Sequence, residues 1–124
     1  METDKHSGNE GIDPTTVVIT DDDRASSLNL PYDLGRYFEM ADAVTVPLTE
    51  LRLSRARPDG ISNAAMRMRE AYDGTRARRQ PITIRRSEFG GYLVLDGNST
   101  VTIALAAGWP CVACRLDVGD QGGG

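Results

Sequence analysis

The stretch Leu93-Val-Leu-Asp-Gly-Asn-Ser-Thr-Val-Thr-Ile-Ala-Leu-Ala-Ala-Gly108 decides the fold. Its first part, within Tyr92–Leu95, is apolar on both faces, as expected of a strand buried inside a sheet. Asp96 and Gly97 then interrupt the apolar run with a sharp turn. From Asn98 to Ala107 the residues suit a short helix, and Gly108 stands where a helix C-terminus favours glycine. A strand that turns directly into a helix places the first helical turn at the strand's end. The N–H groups of that turn lack intrahelical partners and carry partial positive charge, so a phosphate fits there. Gly97 lets the backbone approach a ligand closely, and Asn98, Ser99 and Thr100 supply short hydrogen-bonding side chains. Asp96 is placed to bind a magnesium ion or to act as a base. Asp, Gly, Asn and Ser also suit such a turn through capping alone.

Working outward, Pro81–Arg86 reads as a strand with Ile82 and Ile84 on one face. Gly90 and Gly91 supply the turn into the central strand. Cys111–Leu116 reads as a last strand and Val44–Val46 as a first one, stopped by Pro47. Leu48–Leu53 reads as a helical turn leading into a loop over 57–60. Ile61, Ala65, Met68 and Tyr72 recur at helical spacing and mark a buried stripe, closed by Asp73 and Gly74. Asp33 is a candidate cap for a helix over Leu34–Ala41. Thr15–Thr20 is β-branched and suits a short strand, which the run Asp21-Asp22-Asp23 breaks, with a linker over 24–31. The expected class is a compact α/β (α+β) domain over 44–117, with a small mixed sheet and three to four short helices. An acidic, disordered arm is expected over 1–30, a short helix and linker over 31–43, and a flexible tail over 118–124.

Charge is unevenly distributed. Residues 1–43 hold three cations against ten acids, a net of −7, whereas residues 44–117 hold eleven arginines against seven acids, a net of +4. The basic half uses arginine and no lysine, and the planar guanidinium pairs with phosphate and carboxylate as a fork. A solvated basic face and a site for an anion are both compatible with this. No run approaches the roughly 20 apolar residues of a membrane span, and residues 1–10 carry no apolar leader-like run; a soluble cytoplasmic protein is expected. Cys111 and Cys114 form a C-x-x-C spacing within a predicted strand. A redox pair favours a helix N-terminus and a zinc site needs more ligands, so buried apolar roles are expected for both.

Two segments together resemble a known family. Gly74-Thr-Arg-Ala-Arg-Arg-Gln-Pro-Ile-Thr-Ile-Arg85 is similar to the G-x-x-QPI-x-V-R segment of ParB N-terminal domains. About twenty residues on, Asp96-Gly97-Asn98-Ser99-Thr100 lies where the ParB/sulfiredoxin superfamily carries its phosphate-binding turn. The order and spacing extend over about 75 residues. The resemblance implies a nucleoside-triphosphate site with magnesium, formed by Gly97, Asn98, Ser99 and Thr100 and lined by Arg76, Arg78, Arg79, Gln80, Pro81 and Arg85, with Asp96 as the metal-binding or catalytic residue. It allows phosphoryl-transfer, NTPase or nuclease activity. The sequence also departs from the family. Thr100 and Ser99 stand where its motif has arginine and a preceding histidine or arginine, and Asn98 falls near the sulfiredoxin cysteine. Within these 124 residues no second ParB box or helix-turn-helix pattern is recognised after residue 110, so chromosome partition by sliding on DNA is not expected. Arginines from 76–86 are candidates to replace the missing charge. Two other functions stay open: a catalytically inactive interaction or regulatory module, antitoxin-like, whose acidic arm binds a basic protein partner; and nucleic-acid binding through the arginine-rich face.

Overall fold

A computed structural model describes residues 11–54, 61–88 and 90–117. Its elements are α1 (Asp21–Ser27), α2 (Leu34–Tyr37), β1 (Val44–Pro47), β2 (Leu51–Arg52), α3 (Ile61–Asp73), β3 (Ile82–Arg86), β4 (Tyr92–Asp96), α4 (Asn98–Ala107) and β5 (Cys111–Leu116). The five strands form one mixed sheet in the order β1-β5-β3-β4-β2. β1 runs antiparallel to β5, β5 parallel to β3, β3 antiparallel to β4, and β4 parallel to β2. The expected α+β class with a small mixed sheet is therefore observed.

The central position of α4 follows from its sequence. Val101, Thr102, Ile103 and Ala104 are all fully buried, which leaves this helix little solvent-facing surface. α1 and α3 both pack on it. The single interior hydroxyl on this stretch, Thr102 Oγ1, donates to the carbonyl of Asn98 at 2.9 Å and so is satisfied within the helix. At the other end Gly108 adopts φ 80°, and the Trp109 N–H closes back on the Ala104 carbonyl at 3.0 Å, a left-handed termination. The α3 stripe is as expected: Ile61, Ala64, Ala65, Met68 and Ala71 are buried, and Tyr72 packs against the Tyr37 ring at 5.4 Å between centroids.

The N-terminal half differs from expectation. Residues 11–30 are not an arm lying off the domain. Pro14, Asp23, Ser27 and Leu30 are buried, and Ile12 bridges Leu53 with backbone hydrogen bonds of 2.7 and 2.9 Å. No strand forms over Thr15–Thr20; Pro14–Thr16 is a 3-10 turn capped by Asp13. The three aspartates begin a helix where a break was expected. Thr20 Oγ1 accepts from the Asp23 N–H at 3.1 Å, while an Asp23 carboxylate oxygen accepts from the Thr20 N–H at 3.1 Å. This reciprocal cap, with acids in the first turn against the helix dipole, turns an apparent breaker into a start signal.

α2 is shorter than the predicted Leu34–Ala41. Phe38 leaves the helix in extended backbone to bridge Arg79, whose N–H donates to the Tyr37 carbonyl and whose carbonyl accepts from the Glu39 N–H. Asp33 makes no side-chain cap. Leu48–Glu50 is a 3-10 turn and Leu51–Arg52 is already strand, where a helical turn over Leu48–Leu53 was expected. Trp109 ties residues 30–37 to the core: its indole N–H donates to the Leu30 carbonyl at 2.9 Å, and its ring lies 4.8 Å from that of Tyr37. The domain thus includes residues 11–43 as well as 44–117. The expected loop at 57–60, the tail at 118–124 and residues 1–10 of the expected arm lie outside the described residues.

Candidate anion site

The turn between β4 and α4 is built as its composition implied. Gly97 holds φ 110° and ψ 19° at the start of α4. A Cβ there would lie 3.0 Å from Ile82 Cγ1 and 3.2 Å from Ile82 Cγ2, so both backbone angle and space demand glycine. Gly97 contributes no side chain, so this helix start has no side-chain cap. Thr100, two per cent exposed, lies within the first turn of α4.

The side chains of the turn divide in role. Asn98 is buried and pairs twice with Ser54: its Oδ1 accepts from the Ser54 N–H at 2.9 Å and its Nδ2 donates to Ser54 Oγ at 2.8 Å. The Asn98 side chain is therefore a clamp between α4 and the segment after β2, and its contribution to a ligand is limited to its backbone N–H. Ser99 is half-buried. Asp96 is exposed at the end of β4.

Arg79 is the cation that reaches this turn. Its backbone is fixed from the other side of the molecule. The Arg79 N–H donates to the Tyr37 carbonyl at 2.7 Å, and its carbonyl accepts from the Glu39 N–H at 2.9 Å. Its guanidinium Nη2 lies 3.5 Å from Thr100 Oγ1, a long hydrogen bond. Burial disfavours its charge and pulls its pKa below the usual arginine value; Arg67 and Arg76 add to this by repulsion, and Asp96 opposes it. The charges of Arg67, Arg76 and Asp96 thus all bear on the Arg79 guanidinium, the one that touches the first turn of α4 at Thr100. An arginine held half-buried beside two others is an arrangement that an anion relieves.

Other candidates are placed elsewhere. Arg76 is bonded to Glu70 at 2.7 Å, and Arg78 reaches Glu39 at 3.3 Å and the Gly35 carbonyl at 3.2 Å. Gln80 Oε1 accepts from Arg115 at 3.3 Å. Pro81 is buried. Arg85 pairs across the sheet with Leu93, whereas its neighbour Ile84 pairs with Val94 in the core. Strand alternation therefore sends Arg85 to the opposite sheet face from Ile84 and Val94. It is not brought to the turn. Arg67 is exposed on α3, and its charge bears on Arg79; nothing local in its sequence distinguishes it from Arg69. Ser54 was likewise not singled out.

No protein-family model, curated protein or solved structure matches the chain. The site has to be read from its own chemistry. Among the described residues no group of three or more His, Cys, Asp or Glu converges. Magnesium is commonly held by one or two carboxylates together with substrate phosphates, so Asp96 fits a magnesium ion brought by a phosphate ligand rather than one caged by the protein. Cys111 is half-buried and Cys114 fully buried, both as free thiols. Burial, with a smaller effect from Cys111, pushes the Cys114 thiol up to about 12, as expected of an unreactive apolar side chain.

Proposed function

We propose that this domain binds a phosphate-bearing ligand, of the nucleotide class, at the N-terminus of α4. The observation that carries the reading is Arg79: half-buried, fixed by backbone bonds to residues 37–39, and aimed at Thr100 with Arg67 and Arg76 beside it. The Gly97–Thr100 turn offers backbone N–H groups to the phosphate, and the arginines supply the charge that Ser99 and Thr100 do not. The resemblance to ParB/sulfiredoxin domains supports the same location. Asp96 would hold a magnesium ion carried by the ligand, and that ion would neutralise phosphate charge. The proposal is binding in the cytoplasm, without an assigned reaction.

The test is a titration of the purified chain with ATP, CTP, GTP and ADP, with and without magnesium, followed by backbone amide NMR. Shifts centred on Gly97–Thr100 that are lost in Arg79→Met support the reading. Absence of shifts at millimolar ligand would refute it.

A further inference from the structure

α1 buries almost nothing that favours burial. Its seven residues, Asp21–Ser27, contain one apolar side chain, Ala25, and that one is exposed. The residues it turns inward are Asp23 and Ser27, each two per cent exposed. They stand four apart and so share one face of the helix, and α1 packs with α4 and α3. Asp23 closes the reciprocal cap with Thr20. Ser27 Oγ is buried without a hydrogen-bond partner among the described residues. A helix of two turns has little stability of its own and depends on an apolar face packed against its neighbours. α1 has no such face, and the orphaned hydroxyl makes its closure less favourable.

The chain on either side of α1 is fixed. Ahead of it, Ile12 exchanges two backbone hydrogen bonds with Leu53, at 2.7 and 2.9 Å, and Pro14 is buried. After it, three consecutive carbonyls are pinned by side-chain donors. Arg69 Nη1 donates to Asn29, Trp109 Nε1 to Leu30 at 2.9 Å and the Tyr37 hydroxyl to Pro31 at 2.7 Å. Between these anchors, from Val17 to Asn29, no apolar side chain is fully buried. Val18, Ala25 and Leu28 are exposed, and Val17 and Ile19 are half-buried.

We infer that residues 18–28 are a lid over α4, opening between the two anchors while the sheet, α3 and α4 stay folded, and that the polar underside of α1 is what lets it open. Opening gives up the contacts of α1 with α4 and α3. It leaves the Ile12–Leu53 bridge and the three pinned carbonyls in place. It uncovers part of a helix whose Val101, Ile103 and Ala104 are otherwise fully buried. α3 and β3–β5, which bury apolar side chains along their length, open only with the whole domain.

Thiol labelling of the full chain under native conditions tests this, with Ser27→Cys in a Cys111→Ser background. The introduced thiol reports the lid, and Cys114, fully buried in β5, reports opening of the sheet in the same molecule. The thiol at position 27 is expected to react at least about 100-fold faster than Cys114, with a weaker dependence on urea. Equal opening-limited rates and equal urea dependence at the two positions overturn the lid, because α1 then leaves α4 only in global unfolding. Hydrogen exchange of the Arg24 amide, which bonds to the Thr20 carbonyl at 3.1 Å, tests the cause without a cysteine. Ser27→Ala removes the orphaned hydroxyl and is expected to slow that exchange about 5- to 100-fold. Ile84→Val, a core change away from α1, should speed exchange in β4 and leave Arg24 unchanged. An Arg24 amide that exchanges no slower in Ser27→Ala overturns the polar underside as the cause. One that speeds up in step with β4 in Ile84→Val overturns independent opening.

Discussion

Replacing Arg79 by methionine separates a ligand-binding cation from a structural one. Methionine keeps most of the unbranched apolar stem that packs behind the guanidinium, and the backbone bonds of residue 79 to Tyr37 and Glu39 do not involve the side chain. What is lost is the 3.5 Å contact with Thr100. An ordinary intramolecular hydrogen bond contributes about 0.5–1.5 kcal/mol, and one this long belongs at the lower end. Against it stands the unfavourable crowding of a half-buried cation by Arg67 and Arg76. Unfolding by urea should therefore give a stability within about 1 kcal/mol of the parent, on the stable side if the repulsion dominates. Ligand binding should respond in the opposite way. A hydrogen bond from a charged donor to phosphate contributes about 1.5–3 kcal/mol, so affinity should drop about 10- to 100-fold. Both quantities are measurable on one preparation, by chemical denaturation and by the amide titration. A variant destabilised by more than about 2 kcal/mol with unchanged binding would show Arg79 to be a core strut and refute the reasoning.

Three further outcomes are expected. Gly97→Ala must hold φ near 110° with a Cβ 3.0 Å from Ile82; it should cost about 2–3 kcal/mol in denaturant unfolding, and a cost below about 0.5 kcal/mol would mean that the turn relaxes easily. Asn98→Ala removes both bonds to Ser54 and should cost about 1–3 kcal/mol. A double-mutant cycle with Ser54→Ala should show a coupling of at least about 0.5 kcal/mol, whereas additivity would deny the clamp. Cys114 has a folded-state pKa raised from 9.0 to about 12. Its neutral thiol stabilises the fold below pH 9, and that contribution is lost progressively as pH rises from 9 towards 12, because the unfolded chain ionises first. Alkaline unfolding curves should show this decline, and a thiol reagent at neutral pH should modify Cys111 before Cys114; equal reaction rates in the folded protein would contradict the burial.

Much of the scaffold is legible because its signals are local. The helical stripe of α3, the two buried isoleucines of β3 and the strand-to-helix turn at Gly97 each follow from residue type and spacing within a few positions. The errors come from residues whose role depends on distant partners. Asp21-Asp22-Asp23 could be a break or a helix start, and the reciprocal bond between Thr20 and Asp23 decides for the helix. Phe38 could extend α2, but its pairing with Arg79 draws it into extended backbone. At the site, alternation already set Arg85 on the face opposite Ile82 and Ile84; which of those faces lies towards the Gly97 turn depended on the packing of the sheet.

By itself the sequence determined the class of domain, the strand-to-helix turn at Gly97, and an excess of arginine over acid in residues 44–117. Those properties are carried by short-range periodicity, glycine placement and composition. Only the tertiary structure decided which arginines meet that helix. Arg79 is 21 residues from Thr100, so their meeting depends on how the segment before β3 docks against α4. It also decided that residues 11–43 belong to the domain, because the partners that bury Leu30, Tyr37 and Phe38 come from chain segments far along the sequence.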